Sequence, residues 1–266
     1  TYGSDLDVMF VAPDAAKKNL PRLQPLAVAV LDLLSTRTEA GAPFVTDTRL
    51  RPDGEKGLLV NTLAAHEDYY RRRAQLWEIQ SLTRARAVAG DAATGEKFAR
   101  LAAALTDFRQ RPEGVAAWTP DWEREITRMR GRIERGRTPA GGAALAFKTG
   151  GGGLVDAEFL AQTLALRHGG RAAHTRRALE EAAATGRLPA PDAAQLLPAY
   201  RELRRLELVL RRWSFEGEAT LPADAPAQRR VAIRCGFRDG PELLTAVAQW
   251  RADVRAVFLR HLPPAR

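Results

Sequence analysis

The sequence predicts an α+β protein in two parts, a small strand-bearing segment followed by a chain that is helical almost throughout. Three observations carry this. Strand-like runs are confined to the residues before Asn61, helical spacing governs nearly everything after it, and Arg111-Pro112-Glu113-Gly114 breaks the helical text as a linker. The expected domains are therefore residues 1–110 and residues 111–266. A chain of 266 residues is long enough to give each a core of its own.

Leu6-Asp7-Val8-Met9-Phe10-Val11 is short, apolar and rich in branched and aromatic residues, which predicts a buried strand. Lys17 to Leu34 carries apolar residues at helical spacing, with Pro21 and Pro25 near its start, where proline is tolerated. Phe44 to Arg51 alternates and ends in the turn Pro52-Asp53-Gly54. That alternation puts Val45, Asp47, Arg49 and Arg51 on one face of a second strand. Asn61 or Thr62 caps a helix reaching Tyr70, and further helices are expected over Trp77–Val88, Gly95–Phe108 and Asp121–Arg135. Tyr69, Tyr70 and Trp77 read as core, and Arg71-Arg72-Arg73 as a solvated face. Ala140 to Gly153 is rich in glycine and alanine and reads as irregular, with Gly150 to Gly153 a flexible turn. Helices then follow over Leu154–Arg167, Arg171–Ala184, Asp192–Arg212, where Pro198 kinks the helix or marks its start, and Pro241–Leu262.

The formal net charge is +9, with 41 lysines and arginines, and arginine dominates. This balance favours phosphate-bearing ligands or acidic partners, and it equally fits helix faces that are merely solvated. A single cysteine, Cys235, rules out an intrachain disulfide framework. No apolar run approaches a membrane span and no basic-then-apolar leader is present, so the chain reads as soluble and cytoplasmic, without a membrane partner. No reader helix or stacking platform supports nucleic-acid binding. The four histidines are scattered without zinc spacing, and no nucleophile elbow supports serine catalysis.

The chemistry-bearing pattern is Ser4-Asp5-Leu6-Asp7 at the mouth of the first strand. Residues two apart on a strand point the same way, so Asp5 and Asp7 converge while Leu6 turns inward. Carboxylates this close repel unless a cation lies between them, and Mg²⁺ suits oxygen ligands of this kind. Asp47, on the polar face of the second strand, supplies a third carboxylate. Arg49 and Arg51 on that face suit phosphate, or pair with Asp47 or Asp53. Further on, Lys148 precedes the four glycines, but their spacing is not that of a P-loop. Asp156 falls in the first turn of the next helix, where the dipole alone explains an acid.

Gly3-Ser4-Asp5-Leu6-Asp7-Val8-Met9-Phe10 resembles the metal-binding motif of the polymerase-β-like nucleotidyltransferases. Asp47 to Gly54, with Gly57-Leu58-Leu59-Val60, is similar to the signature of the glutamine synthetase adenylyltransferase family. Similar blocks follow in the family's order: Asp68-Tyr69-Tyr70, Trp77-Glu78, Arg84 to Asp91, and Lys148 through Gly150–Gly153 to Val155-Asp156-Ala157-Glu158-Phe159. The resemblance implies a polymerase-β-like catalytic domain followed by a helical bundle. It implies ATP as substrate, Mg²⁺ held by Asp5, Asp7 and Asp47, and transfer of AMP to a tyrosine hydroxyl of glutamine synthetase. A PII-type signalling protein is the regulator it brings with it. Gly3, Ser4, Arg49, Arg51, Lys148, Asp156 and Glu158 become candidate nucleotide contacts.

The family's glycine-rich phosphate segment falls ahead of Thr1, so the expected catalytic domain is N-terminally truncated. Two other activities fit the same residues: phosphorolytic removal of AMP from the modified synthetase, and a non-catalytic module that senses nucleotide or docks a regulator. Trp77 to Asp91 is closer to the adenylylating half of the family. Leu203-Arg204-Arg205-Leu206-Glu207 with Thr220-Leu221-Pro222 is closer to the removing half. The ending Pro263-Pro264-Ala265-Arg266 reads as a natural terminus, which favours the adenylylating unit.

Overall fold

The computed structural model describes residues 5–36, 39, 44–112, 114–214 and 218–264, with the Trp213 side chain outside that set. The chain divides into two compact units, one over Gly3–Thr119 and one over Pro120–Arg266. Helix outweighs strand in both, and the first holds small parallel sheets, which makes the class α+β.

In the first unit the order is β1 (Leu6–Asp7), β2 (Phe10–Ala12), α1 (Leu20–Ser35), β3 (Thr46–Asp47), β4 (Val60–Thr62), α2 (Leu63–Arg72), α3 (Leu76–Leu82) and α4 (Ala92–Leu105). β1 pairs with β3 and β2 with β4, both parallel. The single strand expected over Leu6–Val11 is thus two, because the chain changes partner across Val8-Met9. Nor is it buried: Leu6 and Val8 to Val11 are half-buried, Asp7 is exposed, and full burial begins only at Ala12. Ala12, Ala27 and Val60 form a small core with Phe10, Leu20, Leu23 and Leu59 packed on it. The Gln24 side chain pairs with Val60 as a strand would: its Nε2 donates to the Val60 carbonyl at 3.0 Å, and its Oε1 accepts from the Val60 amide at 3.0 Å. Backbone groups at the sheet edge are thereby satisfied by one amide side chain.

The strand expected over Phe44–Arg51 is only Thr46–Asp47. The chain then turns, and the Arg51 amide donates to the Thr48 carbonyl. Asp53 (φ 61°) and Gly54 (φ 56°) reverse the chain in the left-handed region, a conformation Asp tolerates better than most residues. Arg49 and Arg51 therefore do not share a strand face with Asp47. Thr62 caps α2, its Oγ1 accepting from the Ala65 amide at 3.2 Å. Tyr69 and Tyr70 are buried as expected, but Trp77 is 42% exposed. The inward stripe of α3 is Leu76, Ile79 and Leu82, at helical spacing, and Trp77 falls off it. This helix stops at Leu82 instead of continuing to Val88. Thr83 Oγ1 folds back onto the Gln80 carbonyl at 2.7 Å, and Asp91 opens α4 by accepting from the Thr94 amide at 2.8 Å.

The second unit is helical: α5 (Trp122–Arg137), α6 (Leu154–His168), α7 (Thr175–Ala184), α8 (Ala190–Ser214), α9 (Ala225–Arg234) and α10 (Gly240–His261). α8 packs against α6, α7, α9 and α10, and its buried leucines 196, 203, 206 and 210 form the stripe the sequence shows. The helix begins at Ala190 and runs through Pro198. α9 is not anticipated from apolar spacing, since its buried face is only Ala227, Val231 and Ala232. Its signal is the cap: Asp224 accepts from the Ala227 amide at 2.8 Å, and Pro226 sits in the first turn. Among the described residues, no helix is long and apolar enough to cross a membrane.

The glycine turn before α6 is closely packed, contrary to the flexible turn expected. Gly152 has φ 73°, and a Cβ there would lie 1.9 Å from the Arg251 carbonyl oxygen. Asp156, fully buried, accepts from the Gly152 amide at 2.7 Å, from Arg255 Nη1 at 2.9 Å, and from Arg130 Nε. Arg130 is itself buried and donates to the carbonyls of Thr149 and Gly150. Removing the carboxylate takes from the buried Arg130 its nearer anion and leaves it only Glu134, at 3.6 Å. Asp156→Ala is therefore expected to destabilise the second unit by about 3–5 kcal/mol. Glu158→Ala, at a half-buried position two residues on, should change stability by less than about 0.5 kcal/mol. Urea unfolding followed by circular dichroism checks both.

Candidate functional site

The parallel register sets Asp7 directly beside Asp47, since Leu6 pairs with Thr46 and Asp7 with Asp47. Two backbone bonds fix it: the Leu6 amide donates to the Val45 carbonyl at 2.8 Å, and the Val8 amide to the Asp47 carbonyl at 2.7 Å. α2 braces the same ends from behind. Tyr70, fully buried, donates its hydroxyl to the Leu50 carbonyl at 2.9 Å and lies 3.2 Å from Met9 Sδ. Its neighbour Tyr69 donates to Glu78 Oε1 at 2.7 Å and so ties α3 to α2. Burial and the Glu78 carboxylate make the Tyr69 hydroxyl hard to ionise, so it stays a donor.

Asp7 is open to solvent on one side and packed on the other. That packing pushes its carboxyl above the ordinary range, and the negative charges of Asp47 and Asp5 push it further. Arg84 and Arg49 pull the other way, Arg84 with the greater effect. Asp47 is lowered, chiefly because Arg49 donates to it. Arg49 Nε lies 3.0 Å from Oδ1 and 2.8 Å from Oδ2, Nη2 also bonds Oδ2, and the Arg49 amide donates to Oδ1 at 2.9 Å. Arg51 is committed elsewhere. It donates to the Thr48 carbonyl (2.9 Å), Thr48 Oγ1 (2.7 Å), the Gly57 carbonyl (3.2 Å) and the Glu55 carbonyl (3.2 Å), which holds the turn after β3 closed.

Asp5, Asp7 and Asp47 thus influence one another electrostatically, and Arg49 neutralises the third of them. Among the described residues, no group of three His, Cys, Asp or Glu is arranged to hold a metal ion. The donor set nevertheless fits a hard divalent cation. It is all carboxylate oxygen, and the charges of Asp47 and Asp5 already disfavour ionised Asp7, a penalty that a cation removes. Gly3 and Ser4 lie outside the described residues.

Lys148, Asp156 and Glu158 belong to the second unit. Lys148 Nζ lies 3.2 Å from Oε1 of Glu207, a carboxylate 1% exposed that also meets Arg204 and, at 3.1 Å, Arg211. Lys148 and Glu207 come from two of the family-like blocks. The third, Thr220-Leu221-Pro222, joins them as the Lys148 amide donates to the Ala219 carbonyl at 3.2 Å and the Leu221 amide to the Leu145 carbonyl at 2.9 Å. Arg84 was the residue missed at the carboxylate site. The sequence places it in a family-like block, but only the fold brings that block to Asp7.

Asp7 is harder to ionise in the folded chain than in the unfolded one. Its burial, and after that the charge of Asp47, therefore cost the fold stability above the folded pKa, and the cost vanishes below the ordinary value of 3.8, where Asp7 is protonated in both states. Asp7→Asn is expected to raise the thermal midpoint at neutral pH. The gain should shrink towards zero as melts are taken down through pH 4 and below. A midpoint lowered at pH 7 would show that Asp7 is not repelled by its neighbours.

Residues 1–101 match the profile of a family described as glutamate-ammonia ligase adenylyltransferase, and residues 121–261 one described as GlnD PII-uridylyltransferase. Three relatives are called bifunctional glutamine synthetase adenylyltransferase/adenylyl-removing enzyme. That of Streptomyces avermitilis is 36% identical over 98% of this chain and 26% of its own length. That of Mycobacterium marinum is 37% identical over 97% and 27%, and that of Mycobacterium leprae 39% identical over 91% and 25%. The chain spans about a quarter of the length of these relatives. Similarity at this level, continuous through both units, means that the chain belongs to the family of glutamine synthetase adenylyltransferase/adenylyl-removing enzymes.

Proposed function

We propose that the chain transfers AMP from ATP to a tyrosine hydroxyl of glutamine synthetase. The observation that carries this reading is the register of β1 on β3, which sets Asp7 beside Asp47 in a chain related to adenylyltransferases. In this reading the first unit is the catalytic domain, of the polymerase-β-like kind, and the second is its accompanying helical bundle. Asp5, Asp7 and Asp47 would hold Mg²⁺, which supplies charge neutralisation for the triphosphate and a more acidic attacking hydroxyl. Binding of the ion competes with Arg49 for Asp47. An Arg49 released in that competition has a guanidinium fork suited to phosphate oxygen. Asp47, whose carboxyl Arg49 holds low before the ion binds and the cation would hold ionised afterwards, would accept the proton of the tyrosine hydroxyl as its oxygen attacks the α-phosphorus and pyrophosphate leaves. Arg51 keeps its turn closed and Tyr70 keeps the strand ends in register.

Lys148 and Asp156 serve this reading by holding the second unit together through buried ion pairs. The match of residues 121–261 to a PII-uridylyltransferase profile supports a PII-type signalling protein as the regulator. The reverse activity, phosphorolysis of the modified synthetase, is favoured by one fact: the relatives' name carries both directions.

The test uses ATP labelled at the α-phosphate, Mg²⁺ and unmodified glutamine synthetase. The chain is supplied alone and in place of the matching region of the Streptomyces avermitilis relative. Label on the synthetase, reduced at least about a hundredfold by Asp5→Asn, is the expected outcome. In parallel, Mg²⁺ should raise the thermal midpoint of the unaltered chain and leave that of Asp7→Asn unmoved. Absence of label transfer from a folded chain in both settings would overturn the proposal. ADP released from AMP-modified synthetase and phosphate would instead assign the removing direction, and nucleotide binding without turnover a sensing module.

A further inference from the structure

One side of α1 is turned inward. Leu20, Leu23 and Ala27 meet the small core of the first unit, and Gln24 is bonded to Val60. The opposite side is open and apolar: Leu26 is 60% exposed and Leu33 76%, with Val28 and Val30 exposed beside them. On the other helices large exposed apolar residues come singly, as Trp77, Leu208, Ile233 and Leu259 do. A single one is ordinary on a protein surface, whereas a row along one helix marks an interaction face.

The row is ordered. Arg22, Leu26, Ala29 and Leu33, all exposed, follow one another at steps of four, three and four, the spacing of a seam between two paired helices. A cation, Arg22, opens the seam, and an anion, Asp32, flanks its far end, about 15 Å further along the helix. No charged residue lies between them in the sequence. Among the described residues, neither the Arg22 guanidinium nor the Asp32 carboxylate makes a hydrogen bond or an ion pair.

We propose that this face binds α1 of a second copy of this chain, antiparallel about a two-fold axis. A two-fold contact joins the same patch on both copies, so the patch must complement itself. An apolar stripe with a cation at one end and an anion at the other has that property. Turned end for end, Arg22 of each copy comes beside Asp32 of the other. The same pairing sets Leu26 of each copy against Ala29 of the other, a large side chain where a small one lets the helices approach. Parallel pairing would instead set Arg22 against Arg22 and Asp32 against Asp32. α1 has 16 residues and is about 24 Å long. Such a contact falls among the small interfaces, below about 1,200 Å², so the dimer is weak and reversible. The inference goes beyond the proposed function and does not rest on it.

The test is analytical ultracentrifugation of the whole chain from about 1 to about 300 µM, spanning the affinities of weak complexes. A monomer–dimer equilibrium with a Kd of roughly 1–100 µM is expected. Leu26→Glu should weaken it at least about tenfold, because the seam would then bury a carboxylate. Arg22→Asp and Asp32→Arg, each alone, place like charges opposite one another and should weaken it by about tenfold. The double variant should restore the dimer. An equimolar mixture of the two single variants should associate better than either does alone, since both cross pairs are then of opposite charge. All these side chains are exposed, so melts in dilute solution should show unchanged midpoints, which separates lost association from lost folding. A chain monomeric over the whole range would overturn the proposal and leave the face to another occupant. A dimer indifferent to Leu26→Glu would also overturn it, as would a double variant no better than the single ones.

Discussion

Parallel pairing of two very short strands brings like charges together, and the rest of the first unit can be understood as what that juxtaposition requires. Asp7 and Asp47 are register partners, so neither can move away without breaking the ladder. The cost is met locally by Arg49 on Asp47 and by the field of Arg84 on Asp7. The ladder itself is too short to resist repulsion unaided, and support comes from the buried Tyr70, which bonds the chain beyond β3 and contacts the link between β1 and β2. A fully buried tyrosine with its hydroxyl satisfied makes a stiff brace, since its ring is packed and its polar end is paired.

The second unit handles charge in the opposite way. Its carboxylates Asp156 and Glu207 are buried among cations: Asp156 meets Arg130 and Arg255 from distant helices, and Glu207 meets the distant Lys148 together with Arg204 and Arg211 of its own helix. Burial of this kind adds little net stability over apolar packing, but it penalises any arrangement in which a partner is absent. The result is a junction where the glycine turn, α5 and α10 meet at Asp156. A second lies where Lys148 meets α8. Glycine is demanded at position 152 because the Arg251 backbone occupies the space of a side chain and the turn needs a positive φ. Lys148 and Asp156, which read as candidate ligand contacts in the sequence, are in the fold engaged in ion pairs of buried carboxylates.

Periodicity and caps were legible in advance. The stripe of α8, the cap at Thr62, and the candidate carboxylates all follow from residue type and spacing, which are local properties. What misled the reading was alternation without a partner. Phe44 to Arg51 alternates as a strand should, yet only Thr46 and Asp47 find a neighbour to pair with. The remainder is turned by Arg51, whose bonds reach Glu55 and Gly57. Trp77 was misplaced because near-helical spacing to Tyr70 means little once a break at Arg73 to Gln75 separates the two helices.

The sequence by itself determined the family, the α+β class, most helices, and the identity of the carboxylates, because residue type, short spacing and block order are all written along one dimension. Only the tertiary structure decided which charges are free and which are spoken for. It put Asp7 beside Asp47, gave Arg49 to Asp47, spent Arg51 on its own turn, and sent Lys148 and Asp156 into buried ion pairs. The physical reason is that an ion pair is a matter of distance in space. Partners such as Asp156 and Arg255 lie far apart along the chain, so no local pattern announces them.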